Sequence, residues 1–188
     1  IGAYWLNPVC LLIFGAGCLL EAVYCLLWRV SPYRTLVSGA VKSAGAIAAV
    51  FAVDPAPSLF FLVALFLVIF FWEIGGQNAP NDWTDIEEDQ RFGARTIPVT
   101  LGLKRTRDII LGTLLLAVLS SLALFLLSQT GFGPVFYLIT LATGVYLLMW
   151  PAWVLYDSER KTDAMRLFNR ASYFPLALFA IVVTRLFL

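Results

Sequence analysis

Six apolar stretches dominate the sequence, running roughly Pro8–Trp28, Thr35–Val53, Ser58–Ile74, Ile109–Leu127, Gly133–Tyr156 and Ser172–Leu188. A hydrocarbon core of about 30 Å needs about 20 apolar residues in a helix rising about 1.5 Å per residue, because a helix satisfies its own backbone groups where no water can. The expected fold is therefore all-α, a polytopic transmembrane helix bundle with six spans. The residues are 61% hydrophobic and only 13% charged, with mean hydropathy +0.86. Soluble domains carry about 25% charged residues, so composition agrees with a membrane protein. The connections are too short for a second domain, and residues 1–188 read as one membrane-embedded unit.

The basic residues sort the connections into two sets. Three connections hold Arg29 and Arg34; Arg91, Arg95, Lys104, Arg105 and Arg107; and Arg160, Lys161, Arg166 and Arg170. The other two, Asp54-Pro55-Ala56-Pro57 and Ser128-Gln129-Thr130-Gly131, have none. By the positive-inside rule the three basic connections face the cytoplasm, and Trp28, Trp72, Trp150 and Trp153 mark the same membrane edge. The expected setting is an integral multi-pass protein of the bacterial cytoplasmic membrane.

Several function classes fall away. A net charge of +1 without a long basic tract offers no field for nucleic acid. The absence of histidine removes His-ligated zinc, haem with an axial His, and Ser-His-Asp triads, so any metal must use oxygen ligands. Cys10, Cys18 and Cys25 lack metal-site spacing and read as small packing residues. The small-residue run Ser38-Gly39-Ala40-Val41-Lys42-Ser43-Ala44-Gly45-Ala46 suggests that the second span is buried in the bundle. Glu21 and Lys42 fall at similar depth within spans, so they either pair or meet other polar groups separately. The chain starts at Ile1 with no charged n-region; a signal peptide is not expected, and a start within a longer protein is.

The chemistry is concentrated after the third span, where five of the twelve acids lie within eight residues, Asp82 to Asp89. On a helix, Asp82, Asp85 and Asp89 share one stripe, and Asn78 joins it if the helix reaches back that far. Such carboxylates repel one another unless a cation sits between them, and hard oxygen ligands suit Mg²⁺. Arg91 and Arg95 offer planar forks for phosphate oxygens nearby, with Lys104, Arg105 and Arg107 adding charge. Together they describe a diphosphate site. A calcium loop starting at Asp85 would need glycine where Gln90 stands, and no phosphate-binding G-x-x-x-x-G-K-[ST] occurs. The plain alternative is a solvated loop whose arginines neutralise its acids.

The stretch Asn81-Asp82-x-x-Asp85-Ile86-Glu87-Glu88-Asp89-x-x-x-Gly93-x-Arg95-Thr96-Ile97-Pro98-Val99-x-x-Gly102 resembles the second aspartate-rich motif of the UbiA superfamily of intramembrane prenyltransferases. The Gly-x-Arg-Thr-Ile-Pro-Val continuation and the three spans that follow favour the second motif over the first. Tyr24 to Arg29, and Ser31-Pro32-Tyr33-Arg34-Thr35-Leu36-Val37, look like a span exit and the next span's entry in that family. The resemblance covers the C-terminal two thirds of such a protein; the N-terminal spans and the first aspartate-rich motif have no counterpart here.

The resemblance implies Mg²⁺-dependent transfer of a polyprenyl group from a prenyl diphosphate to a small hydrophobic or aromatic acceptor, as in quinone or related isoprenoid-lipid biosynthesis. Asp82, Asp85 and Asp89 would hold the metal. Asp85, Asp89 and Arg95 would serve catalysis, and Arg91, Arg95, Asn78 and Lys42 would bind the diphosphate. Without the missing spans, activity of these 188 residues by themselves is not expected. A transporter or a noncatalytic membrane scaffold are the competing readings. Transporters place ionisable groups near the midplane, whereas here the acids gather at one membrane face.

Overall fold

Asn7 caps the first helix, α1 (Pro8–Leu26): its side chain accepts from the Val9 N–H at 2.9 Å, and Pro8, with no N–H to leave unpaired, fills the first turn. From there the computed structural model, which describes residues 5–188, is helical nearly throughout. The elements are α2 (Arg34–Val53), α3 (Leu59–Trp72), α4 (Ala79–Thr84), α5 (Ile86–Phe92), α6 (Ile97–Leu127), α7 (Pro134–Gly144), α8 (Trp150–Ser158), α9 (Lys161–Ala171) and α10 (Phe174–Leu186). Wide π turns join α3 to α4 (Glu73–Asn78) and α7 to α8 (Val145–Met149). Among the described residues six helical segments are long and apolar enough to cross a membrane, as expected.

The segments extend beyond the apolar runs that signal them. The third continues past Ile74 to Thr84, the fourth starts at Ile97 rather than Ile109, and the sixth starts at Lys161 rather than Ser172. Hydropathy marks what can face lipid, but a helix end packed on other helices needs no such marking. Ala79, Pro80, Asp82 and Trp83 of α4 are all buried. Within the fourth segment Gly102 takes φ 79°, ψ 164°, a left-handed conformation that bends the chain between the loop-like start and the span proper. The sixth is broken at Ser172–Tyr173, where Trp72 Nε1 donates at 2.7 Å to the Ala171 carbonyl at the end of α9.

The core lies among α3, α4, α6, α8, α9 and α10, where Trp83, Leu114, Leu148, Leu155, Leu167 and Phe174 are fully buried. Gly75 sets the approach of the π turn to α6: a Cβ there would overlap the Thr113 hydroxyl and lie 3.0 Å from the Ile110 carbonyl. Gly75→Ala should lower stability by about 1–3 kcal/mol through overpacking. A melting temperature of the purified protein checks this, and an unchanged value would mean that the helices part at no cost.

Two expectations are corrected, and of the two readings left open for Glu21 and Lys42 the structure shows the unpaired one. Only one face of the second span is buried, comprising Thr35, Ser38, Gly39 and Ser43, while Lys42, Gly45 and Ala49 are exposed. Of the cysteines, Cys10 packs with its thiol 3.3 Å from the Ala48 carbonyl, but Cys18 and Cys25 are exposed. Glu21 and Lys42 form no ion pair: Glu21 lines a groove with Gly17, Val41 and Gly45, whereas Lys42 lines a different cavity. Equal depth does not fix rotation about the helix axis, and neighbouring positions differ by about 100°.

Candidate active site

Pro80 explains the path of the chain into the site. It has no N–H for the carbonyl of Gly76, four residues back, and its ring crowds that carbonyl. The backbone opens into the π turn instead, with the Ala79 N–H reaching the Ile74 carbonyl, and Gln77 Nε2 supplies the Gly76 carbonyl with a substitute donor at 2.9 Å. Pro151 follows the second π turn by the same two residues. In a regular helix Glu73 and Asn78 would stand about 140° apart. The widened turn brings them together, and Asn78 Nδ2 donates to Glu73 Oε1 at 3.1 Å.

These residues form one wall of a cleft of about 450 Å³, lined by Tyr24, Arg34, Lys42, Glu73, Gln77, Asn78, Asn81, Asp82 and Phe168. From the first turn of α2, Arg34 donates to Asp82 Oδ1 at 2.9 Å, and its guanidinium lies 5.2 Å from the centre of the Tyr24 ring. One turn further along α2, Ser38 Oγ donates to Glu73 Oε1 at 2.9 Å and accepts from Asn78 Nδ2 at 2.7 Å. Arg34, Ser38, Glu73, Asn78 and Asp82 are each at most 9% exposed. Asp82 Oδ2 is buried with no hydrogen-bond partner.

Next to the cleft, the helix is interrupted at Asp85 (φ −103°, ψ 10°) before α5 begins. Asp82, Asp85 and Asp89 therefore do not share the continuous stripe expected from their spacing. Among the described residues no three acidic or thiol side chains converge tightly enough to form a metal-binding group. Asp85 accepts from Asn81 Nδ2 at 3.2 Å and from the Thr84 hydroxyl at 3.1 Å. Burial pushes the Asp89 carboxyl above its ordinary range, opposed by the Thr96 hydroxyl beside it and by the Arg34 charge. Its Oδ2, like that of Asp82, is buried without a partner. Glu87 points away, exposed, and its hydrogen bond to Lys161 at 2.8 Å holds its carboxyl below the usual value.

Arg95 ties this loop to the α1–α2 connection, its N–H donating to the Trp28 carbonyl at 2.9 Å and its Nη1 to the Val30 carbonyl at 3.3 Å. Arg91 is exposed, with no side-chain partner among the described residues. Of the residues singled out from the sequence, Asn78, Asp82 and Lys42 thus meet in the cleft, whereas Asp85, Asp89, Arg91 and Arg95 belong to the adjoining loop and α5. In the sequence Arg34 stands out as a basic marker and as part of a family-like span entry, Ser38 only as one of a run of small residues, and Glu73 not at all. Glu73 carried a usable signal, an acid ending an apolar run just before two glycines and a proline.

The model of the UbiA prenyltransferase family matches residues 1–173. The chain belongs to this family. UbiA relatives include a protoheme IX farnesyltransferase of Ruthia magnifica subsp. Calyptogena magnifica, 28% identical over 165 residues, which are 86% of this chain and 52% of that protein. A second, from Vesicomyosocius okutanii subsp. Calyptogena okutanii (strain HA), is 28% identical over 157 residues, 81% of this chain and 50% of that one. The chain spans about half the length of the curated relatives it matches. No solved structure matches it significantly. Membership of the UbiA family fits the helical architecture, and the cleft just described contains Asp82 of the motif that first suggested it.

Proposed function

We propose that the full-length protein transfers a polyprenyl group from a prenyl diphosphate to an acceptor within the membrane, in a Mg²⁺-dependent reaction at the cytoplasmic face. One observation carries the reading: the first aspartate of the motif, Asp82, is itself part of the wall of a charged and amide-lined cleft in an otherwise apolar bundle.

The donor set suits the metal. Magnesium takes hard oxygen ligands, needs only one or two carboxylates, and keeps its other positions for water and phosphate. Asp82 and Asp89 each offer a buried carboxylate oxygen without a partner. Asp82, Asp85 and Asp89 form no cluster by themselves, and one or two of them would hold the ion, which when bound would supply positive charge to the diphosphate. Arg91 on α5 and Arg95 in the loop after it are exposed, and the guanidinium N–H groups not engaged by the Val30 carbonyl can take phosphate oxygens. As the allylic C–O bond breaks, negative charge grows on the diphosphate, and guanidinium groups placed beforehand stabilise it without reorganising. The allylic cation then needs an electron-rich carbon and protection from water, which closely packed apolar helices supply.

The relatives' names specify protoheme IX as acceptor and a farnesyl donor. We take an aromatic or tetrapyrrole acceptor as the substrate class, with 4-hydroxybenzoate representing quinone-type acceptors. The test is transfer from farnesyl diphosphate by the full-length protein in proteoliposomes, with Mg²⁺ or with EDTA. Product is expected with protoheme IX or 4-hydroxybenzoate, and only with Mg²⁺. Equal turnover in EDTA would sink the metal assignment, and no transfer to any acceptor would return the transporter and scaffold readings.

A further inference from the structure

Asn78 can address the cleft in only one way. Its Nδ2 donates to Ser38 Oγ at 2.7 Å and lies 3.1 Å from Glu73 Oε1, so the amide nitrogen is turned into the wall. Ser38 has a single proton, which goes to the same Glu73 oxygen at 2.9 Å; toward Asn78 it is therefore an acceptor. Turning the amide over would set its oxygen against a carboxylate oxygen and against a hydroxyl whose proton is already committed. Two acceptor-to-acceptor contacts are costly among groups at most 9% exposed. What is left for the cleft is Asn78 Oδ1, which accepts no hydrogen bond from the described residues. One helical turn further on, Asp82, 3% exposed and in the same wall, has Oδ2 without a partner.

The Asn78 amide oxygen is thus left to the cleft with its nitrogen turned into the wall, and the unpartnered Asp82 oxygen is buried one turn behind it. Phosphate oxygens need donors, whereas a hard divalent cation needs oxygen ligands. The sequence leaves Asn78 in either role, and the hydrogen-bond chain separates them. We propose that Glu73 and Ser38 are positioning residues that hold the Asn78 amide with its nitrogen in the wall and its oxygen toward the cleft, making Asn78 an oxygen donor to a divalent cation. The inference rests on the divalent-cation reading of the previous subsection.

Binding of Mn²⁺ to the full-length protein in detergent, followed as loss of the free-ion EPR signal with no prenyl diphosphate present, tests it without reference to turnover. Asn78→Leu is expected to weaken Mn²⁺ at least tenfold. Ser38→Ala, which frees one amide proton, should weaken it about threefold, and Ser38→Thr should restore it. The exchanged pair Glu73→Gln with Asn78→Asp keeps the charge and reverses the hydrogen bond, leaving an oxygen toward the cleft. It should bind Mn²⁺ at least as tightly as the unaltered protein, while Asn78→Leu should bind geranyl diphosphate in EDTA as before. A tenfold loss of geranyl diphosphate binding in EDTA by Asn78→Leu would assign Asn78 to phosphate and overturn the proposal. If the unaltered protein binds no Mn²⁺, the cation reading itself falls. If it binds Mn²⁺ and both Asn78→Leu and Ser38→Ala match it, only the positioning role falls.

Discussion

Replacing Asp85 or Asp89 by Asn in the full-length protein is expected to cut prenyl transfer by about 100- to 1000-fold, because losing either carboxylate weakens the hold on the divalent ion whose charge offsets the developing diphosphate anion. Each change deletes a charge while keeping nearly the same shape. At Asp89 it also relieves the repulsion from Asp85 and Glu88 that helps hold its carboxyl above the usual range. Folding should therefore suffer little, and the loss should appear in turnover rather than in yield of protein. Glu87→Gln is the matched control, because Glu87 is exposed and engaged with Lys161 on α9 rather than turned toward the cleft. It should retain activity within a few-fold. Initial rates with saturating Mg²⁺ and farnesyl diphosphate check all three variants, and full activity in both aspartate variants would remove the catalytic assignment.

Arg34→Met is expected to destabilise the protein by about 3–5 kcal/mol, the cost of leaving one member of a buried ion pair alone. The Arg34 and Asp82 side chains are 10% and 5% exposed, and Asp82 Oδ1 has no other donor within reach. The Asp82 carboxylate would remain in a nearly dry wall with both oxygens unpartnered. Adding Asp82→Asn removes that stranded charge, so the double variant should recover most of the loss. Equilibrium unfolding of the four proteins in mild detergent gives the cycle, and the non-additive part measures the pair directly. Additive losses would mean that Arg34 acts through its packing against Tyr24 alone.

Both expectations join residues that were read from the sequence with unequal clarity. Asp85, Asp89 and Arg95 stand out in the sequence because they sit close together in a polar segment between apolar runs. Arg34 was visible as a charge but not as a partner, since Asp82 lies 48 residues away and only the packing of α2 beside α4 brings them within 2.9 Å. Ser38 was hidden in a run of small residues that reads as helix packing, and Glu73 at the end of a strongly apolar span. Their meeting with Asn78 depends on a π turn, which shifts the register of side chains by an amount that regular helical periodicity does not contain. The same limit defeated the expected stripe of Asp82, Asp85 and Asp89, because the helix breaks at Asp85.

What the sequence determined by itself was everything that follows from transfer between water and hydrocarbon. That covers six helical segments long and apolar enough to span a membrane, and the gathering of acidic and basic residues in the segments between the apolar runs. These properties are local sums over a helix or a loop, and no distant residue alters them. The tertiary structure decided which polar groups inside the bundle face one another: Lys42 away from Glu21, Arg34 onto Asp82, and Ser38 and Glu73 onto Asn78. Such pairings depend on rotation about each helix axis and on the closeness of neighbouring helices. Both are set by the proline at position 80, the glycine at position 75 and the packing between helices, rather than by hydropathy.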